Sequence, residues 1–211
     1  TRRAVGHMAP LADHLIQRVE QLLADGGRVL GIAGAPGSGK STLAQTVVTH
    51  FGERAQLLPM DGFHLADEEL ARLGRSARKG APDTFDVDGY VAALLRVRAR
   101  EHDVLVPRFD RVIEAAVAGS LRIGVTTDLV VTEGNYLLLQ DGPWAKVAAL
   151  LDESWMLRPD DALRRARLVA RHVAHGRSPT AAEAWVATVD EPNAQLIATG
   201  SLAADYTVPG D

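Results

Sequence analysis

The stretch Gly34-Ala35-Pro36-Gly37-Ser38-Gly39-Lys40-Ser41-Thr42 carries the densest chemistry in the chain. Its glycines let the backbone turn so that several N–H groups converge on one anion. Lys40 adds a point charge that can reach outer phosphates, and the Ser41 hydroxyl can take a place on a hard divalent cation. A helix starting near Lys40 would aim its positive dipole end at the same point. The residues fit G-x-x-x-x-G-K-[ST] at every fixed position. The chain's own composition yields that pattern by chance only ~0.002 times in such a length. A plain glycine-rich turn is the alternative, but lysine is scarce, occurring only at Lys40, Lys79 and Lys146. The stretch reads as a phosphate-binding loop for a nucleotide.

Two acids stand where such a loop needs them. Asp61 follows the strand-like "AQLLP", and Glu133 ends the apolar "LVVTEG". In open α/β sheets ligands bind beyond the carboxyl ends of the strands. A carboxylate at Asp61 can accept a hydroxyl proton, and one at Glu133 can organise Mg²⁺. The plain readings are an Asp-Gly turn and a solvent-facing strand end. His64, Lys79, Arg108, Asp110 and Arg111 fall in segments expected at the same rim. Carboxylates and a histidine suit hydroxyl-rich ligands; arginines and a lysine suit a carboxylate or phosphate. Arg164, Arg165, Arg167 and Arg171 crowd one helix, which can equally be a solvated basic face. His172 and His175 lack a third ligand and read as polar helix residues, and Trp144, Trp155 and Trp185 as packing anchors.

The elements that must position these groups alternate. Helical spacing covers Leu11 to Leu23, and "RVLGIAG" is a strand entering the glycine loop. "STLAQTVVTHF" is a helix closed by Gly52, and residues 64–86 form a polar excursion. "DVDGYVAALLRVRARE" is a helix capped by Asp86 or Asp88. "DVLVPRFDR" reads as a strand broken by Pro107, and "IEAAVAGSLRIGV" as a hairpin turning at Gly119-Ser120. "PWAKVAALL" reads as a helix and "DESWMLR" as a strand. "DDALRRARLVARHVAHG" is a long helix, the next segment is helical with a break at Pro192, and "DYTV" is a last strand. Short apolar strands alternating with helices indicate a parallel sheet covered on both faces.

Composition bounds the rest. The 211 residues suffice for one core with a small lid, and hydrophobic and charged fractions of 46% and 24% are ordinary for a globular domain. A net charge of −4 offers no basic field for nucleic acid. No apolar run approaches the ~20 residues of a membrane span, and no cysteine supplies a thiolate site. A cytoplasmic protein is the expectation. Gly6-His7-Met8 reads as a cloning remnant, so 1–7 are set aside and one domain is assigned to 8–211, with a lid around 164–178.

"GAPGSGKST", "PMDGFH", "RKGAPDTFD", "VPRFDR" and "VTEGNYLLL" follow in order, and together they resemble the P-loop kinases that include uridine kinase, phosphoribulokinase and type I pantothenate kinase. Within that group the chain is most similar to bacterial nucleoside/nucleotide kinase-like proteins, some described as fructose-transport-system kinases. The likeness continues through "RLVARHVAHGRS" and "VDEPNAQLI". It implies an α/β fold: a P-loop NTPase three-layer sandwich with a mostly parallel sheet and a small helical lid. It implies ATP on Gly34 to Thr42, Mg²⁺ at Ser41 and Glu133, Asp61 as base, and Lys40 with Arg171 beside the transferring phosphate. His64, Lys79, Arg108, Asp110 and Arg111 are then the expected acceptor contacts. The implied partner is a small-molecule substrate, with neither nucleic acid nor membrane, and a homodimer is left open as the assembly.

Departures leave the acceptor open. Gly80 stands where uridine kinases carry an acid before the matching stretch, and Arg111 where pantothenate kinase carries a histidine. The expected activity is ATP-dependent phosphorylation of a hydroxyl on a sugar, nucleoside or pantothenate-like metabolite. The alternative is a nucleotide-binding regulatory or accessory P-loop protein without acceptor turnover. A GTPase would be expected to show an N-K-x-D-type motif, which is absent from the sequence.

Overall fold

The computed structural model describes residues 10–209. The stretch 1–7 lies outside the described residues. Helix α1 (Asp13–Ala24) buries Leu15, Val19 and Leu22, the helical spacing seen in the sequence. Strand β1 (Val29–Gly34) is buried at every position. It is the middle of a five-stranded parallel sheet in the order β2-β5-β1-β6-β7. Its companions are β2 (Ala55–Pro59), β5 (Leu129–Gly134), β6 (Glu153–Arg158) and β7 (Tyr206–Pro209).

The sheet divides the core into two. Leu30 and Ile32 face α1 and α2 (Lys40–Phe51), packing with Val47, Phe51 and Trp155. Val29 and Ala33 face the other way, toward α4 (Val87–Ala99) with Tyr90, Leu94, Tyr136 and Trp144. This is period-two alternation in a strand covered on both faces. Asp86 caps α4 by accepting from the Gly89 amide. Between β2 and α4 the polar excursion winds through a short 3₁₀ turn (Met60–Phe63) and α3 (Asp67–Arg72).

Three local expectations are corrected. Pro107 does not break its strand: β3 (Val104–Asp110) runs through it, and the ladder shifts register between Val106 and Arg108. A bulge is where a residue without an N–H is tolerated. Residues 115–123 are not a hairpin; they form β4, which pairs antiparallel with β3, and Gly119 (φ 66°) sits inside the irregularity. "PWAKVAALL" forms two 3₁₀ turns, Gly142–Lys146 and Ala148–Leu150, instead of one helix.

Helix α5 (Asp161–Ala174) ends in a Schellman motif. The Arg177 N–H donates to the His172 carbonyl and the Gly176 N–H to that of Val173, with Gly176 at φ 94°. Helix α6 (Pro179–Trp185) follows, capped by Ser178. It joins α7 (Glu191–Gly200) through a π turn at Val186–Asp190. The helical path therefore changes before Pro192, which occupies the first turn of α7, where a missing N–H costs nothing.

Candidate active site

The loop after β1 is shaped by its glycines. Gly37 and Gly39 have φ of 78° and 94°, and Gly39 precedes the first residue of α2. A Cβ on Gly37 would lie 2.6 Å from Leu168 Cγ and 2.9 Å from the Arg164 carbonyl, so α5 rests directly on the loop. A Cβ on Gly34 would fall 2.5 Å from Ser38 Oγ. That Oγ is buried and without a hydrogen-bond partner among the described residues. A bare backbone cradle holding an unsatisfied hydroxyl is the form a phosphate site takes.

The sheet register brings the two acids to this loop. Glu133 on β5 stands beside Ile32 of β1 and Pro59 of β2, and Asp61 follows two residues after Pro59. The Ser41 hydroxyl donates to Glu133 Oε2 at 3.0 Å. Burial, then the neighbouring Asp61 charge, push the Glu133 carboxyl up to about 6, against Lys40 and the Ser41 hydrogen bond. Burial also opposes the charge on Asp61, but the positive groups facing it win. His64 when protonated, Arg111, Lys40 and Arg171 hold its pKa below the ordinary carboxylate value. Burial lowers the Lys40 ammonium, opposed by Glu133 and Asp61.

Lys40, Ser41, Asp61, His64, Lys79, Arg111 and Arg171 line one cavity of about 820 Å³. Arg111 Nη2 lies 2.6 Å from Asp61 Oδ2. Lys79 Nζ donates to Asp67 at 2.6 Å and to the Glu114 carbonyl at 2.8 Å. The His64 ring is held between Phe85 and Phe109, centroids 4.1 and 4.8 Å away. Its Nδ1 lies 2.8 Å from the Asp61 carbonyl, which can only accept, so Nδ1 carries the proton and Nε2 a lone pair. Burial, then the Lys79 and Arg111 charges, hold the ring below its ordinary pKa, against Asp61.

The structure does not bring Arg108 and Asp110 into this cavity. They share the opposite parity on β3 from Phe109, which does line it. Arg108 is exposed, and Asp110 accepts from the Val112 amide at 2.8 Å, closing the β3–β4 turn. Strand parity was readable from the sequence, but the register shift at Pro107 hides which parity points inward.

Arg164 was missed as a structural residue. It is 3% exposed and donates to the Pro36 carbonyl at 3.3 Å, Asp161 at 3.0 Å and Glu191 at 2.5 Å. Thus α5 and α7 are tied to the loop backbone. The Arg167 guanidinium also approaches the loop, 3.9 Å from where a Cβ on Gly39 would stand. His172 Nε2 pairs with Asp190 at 2.8 Å, and no cluster of three metal-ligating side chains occurs among the described residues. A second cavity, about 1130 Å³, opens beside Ala35 between β6 and α7, lined by Arg158, Pro159, Arg165, Gln195 and Ser201. No sequence motif marks it.

No family model matches the chain. A putative uridine kinase of Schizosaccharomyces pombe is 36% identical over 183 residues, which are 82% of this chain and 78% of that protein. The ATP-dependent kinase-like protein notR' of Aspergillus versicolor is 38% identical over 162 residues, 72% of this chain and 94% of that one. The crystal structure of a putative fructose transport system kinase from Silicibacter sp. TM1040 superposes with a TM-score of 0.83 at 37% identity, covering 93% of this chain and 98% of that one. The chain belongs to the P-loop kinase family that includes the uridine and pantothenate kinases. This kinase is an ATP-dependent phosphotransferase with an alcohol group as acceptor. No helix of the kinase among the described residues is long and apolar enough to cross a membrane.

Proposed function

We propose that this chain carries the γ-phosphoryl group of ATP to a hydroxyl of a small polar metabolite in the cavity between the P-loop and the β3–β4 turn. The observation that carries this reading is the convergence of Lys40, Ser41 and Asp61 in that one cavity, with Glu133 held to Ser41 by a hydrogen bond. The amides of Gly34 to Thr42 hold the donor phosphates. The Ser41 and Glu133 oxygens are hard donors that fit Mg²⁺. When bound there, the ion would offset phosphate charge.

Asp61, ionised and aimed into the cavity, orients the acceptor hydroxyl and takes its proton. The hydroxyl oxygen forms the new bond to the γ-phosphorus as the bond to the ADP oxygen breaks. Lys40 and Arg171 offset charge on the group in transit. His64 presents Nε2 to a second acceptor hydroxyl, while Lys79 and Arg111 line the same seat. The cavity beside Ala35 receives the donor's base, where Ser201 Oγ, buried and without a hydrogen-bond partner among the described residues, offers a hydrogen bond. Helix α5 and the segment after it, about 164–178, act as a lid that excludes water from transfer.

ADP release measured over sugars, sugar phosphates, nucleosides and hydroxy acids tests this reading, with Asp61→Asn beside the wild type. ATP binding should persist in the variant and acceptor-dependent transfer should fall by about 10²–10⁴. Transfer at the wild-type rate would remove Asp61 from its role. A second reading, an accessory P-loop protein without acceptor turnover, draws on the Asp61–Arg111 ion pair, which occupies the base. It gains if no acceptor raises ADP release above background.

A further inference from the structure

The cavity carries more positive than negative groups, and three of its four acids are already paired; the fourth, Glu114, is exposed on the β3–β4 turn. Asp61 is held by Arg111, Asp67 by Lys79 and Asp190 by His172. Among the described residues, Arg171 and Arg177 line the same cavity and make no ion pair. Arg171 lies on α5, the helix packed against the P-loop, where it serves the phosphate in transit. Arg177 lies past the end of that helix, and its place is fixed from two sides. The Schellman hydrogen bonds at Gly176 set its backbone. Its guanidinium then stacks over the Trp185 ring, 4.0 Å from the centroid. An indole covering one face leaves the N–H donors of a planar guanidinium directed outward along its edge. Such a fork matches a carboxylate or a phosphate.

We propose that the acceptor carries an oxyanion, a carboxylate or a phosphate, at the end remote from its reacting hydroxyl, and that Arg177 braced on Trp185 takes it. This rests on the kinase reading above. The transferred group then adds a second anion to a substrate that already has one, so the enzyme discriminates charged acceptors from their neutral counterparts. Trp185 acts as a positioning residue, holding the plane of the guanidinium.

Two measurements test this. The first follows ADP release with matched acceptors: D-ribose against D-ribose 5-phosphate, and glycerol against D-glycerate, extended to other neutral and anionic pairs. The anionic member of a pair should be the one used. Arg177→Ala should raise its KM at least tenfold with the KM for ATP unchanged, and Arg177→Lys should recover part of the loss. Equal use of the neutral member, or an unchanged KM in Arg177→Ala, overturns the proposal. The second fills the donor site with a non-hydrolysable ATP analogue and Mg²⁺, then titrates inorganic phosphate and, separately, acetate by calorimetry. Wild type should bind one of the two at least tenfold more tightly than Arg177→Ala, and which one it binds separates phosphate from carboxylate. No binding by wild type, or equal binding by the variant, overturns the proposal. Anion binding lost with Arg177 but no turnover with any acceptor supports the anion site while overturning the kinase reading it was built on.

Discussion

Arg111 Nη2 sits 2.6 Å from Asp61 Oδ2, so the carboxylate proposed as base is bound to a guanidinium delivered by the β3–β4 turn, fifty positions along the chain. The pair does two things at once. It helps keep Asp61 ionised at neutral pH, and it ties the turn to the rim of the cavity. Under the proposed function, a hydroxyl entering the site would meet the second carboxylate oxygen, and Arg111 need not leave.

Removing the guanidinium should move the acid limb of the pH–rate profile. Arg111 is among the charges that lower the Asp61 pKa, so Arg111→Ala raises it and the limb of kcat/KM shifts to higher pH. At acid pH the variant is slower than at neutral pH by more than the wild type is. A limb that stays in place would show that another group governs it.

Glu133 gives a stability signature in the nucleotide-free protein. Its folded pKa of about 6 lies above the ordinary value of 4.5, so the folded state binds the proton more tightly. That contribution is fully present below about pH 4.5 and is lost as pH rises through 6. Glu133→Gln should therefore gain stability relative to wild type between pH 4.5 and 7, by about 2 kcal/mol in all. Denaturant melts across that range read the difference; a gap independent of pH would contradict the assignment.

Arg164→Ala breaks a buried charge network and frees the Pro36 carbonyl. Loss of one partner from such a set costs about 3 kcal/mol. Because the lost bond is to the loop itself, nucleotide affinity should fall with stability, about tenfold by calorimetry. Arg72→Ala removes only the exposed ion pair to Glu69 on α3, and should leave affinity near wild type.

Gly62 is required by a neighbour, since a Cβ there would lie 2.3 Å from the Pro107 carbonyl. Gly62→Ala must push β3 away from the Asp61 turn, costing about 2 kcal/mol. Acceptor KM should rise while ATP affinity stays, because the displaced ribbon carries Phe109 and Arg111 and none of the P-loop residues. An equal loss of ATP affinity would place the strain elsewhere.

The donor half of the site was legible because its spacing is fixed by backbone geometry: Gly37, Gly39, Lys40 and Ser41 leave few alternatives. Glu133 and Asp61 were legible because strand ends in a parallel sheet point to one rim. Arg108 and Asp110 were misplaced because parity cannot be counted through a bulge. Pro107 and Gly119 look like boundaries in one dimension and are register shifts within one ribbon. Arg164 read as one arginine among four on a helix face, since only packing reveals that it is buried against Pro36. The Trp185–Arg177 stack joins the ends of two helices, and no periodicity connects them.

The β3–β4 ribbon forms its own two-stranded sheet, separate from the five strands that carry the P-loop. Its tip supplies Arg111 to the acceptor cavity while its ladder shares no hydrogen bond with the parallel core. If the proposed function holds, substitutions at 111–114 would retune which metabolite is accepted without disturbing the ATP seat. Diversification of substrate and conservation of the energy source are, in this architecture, assigned to two different pieces of backbone.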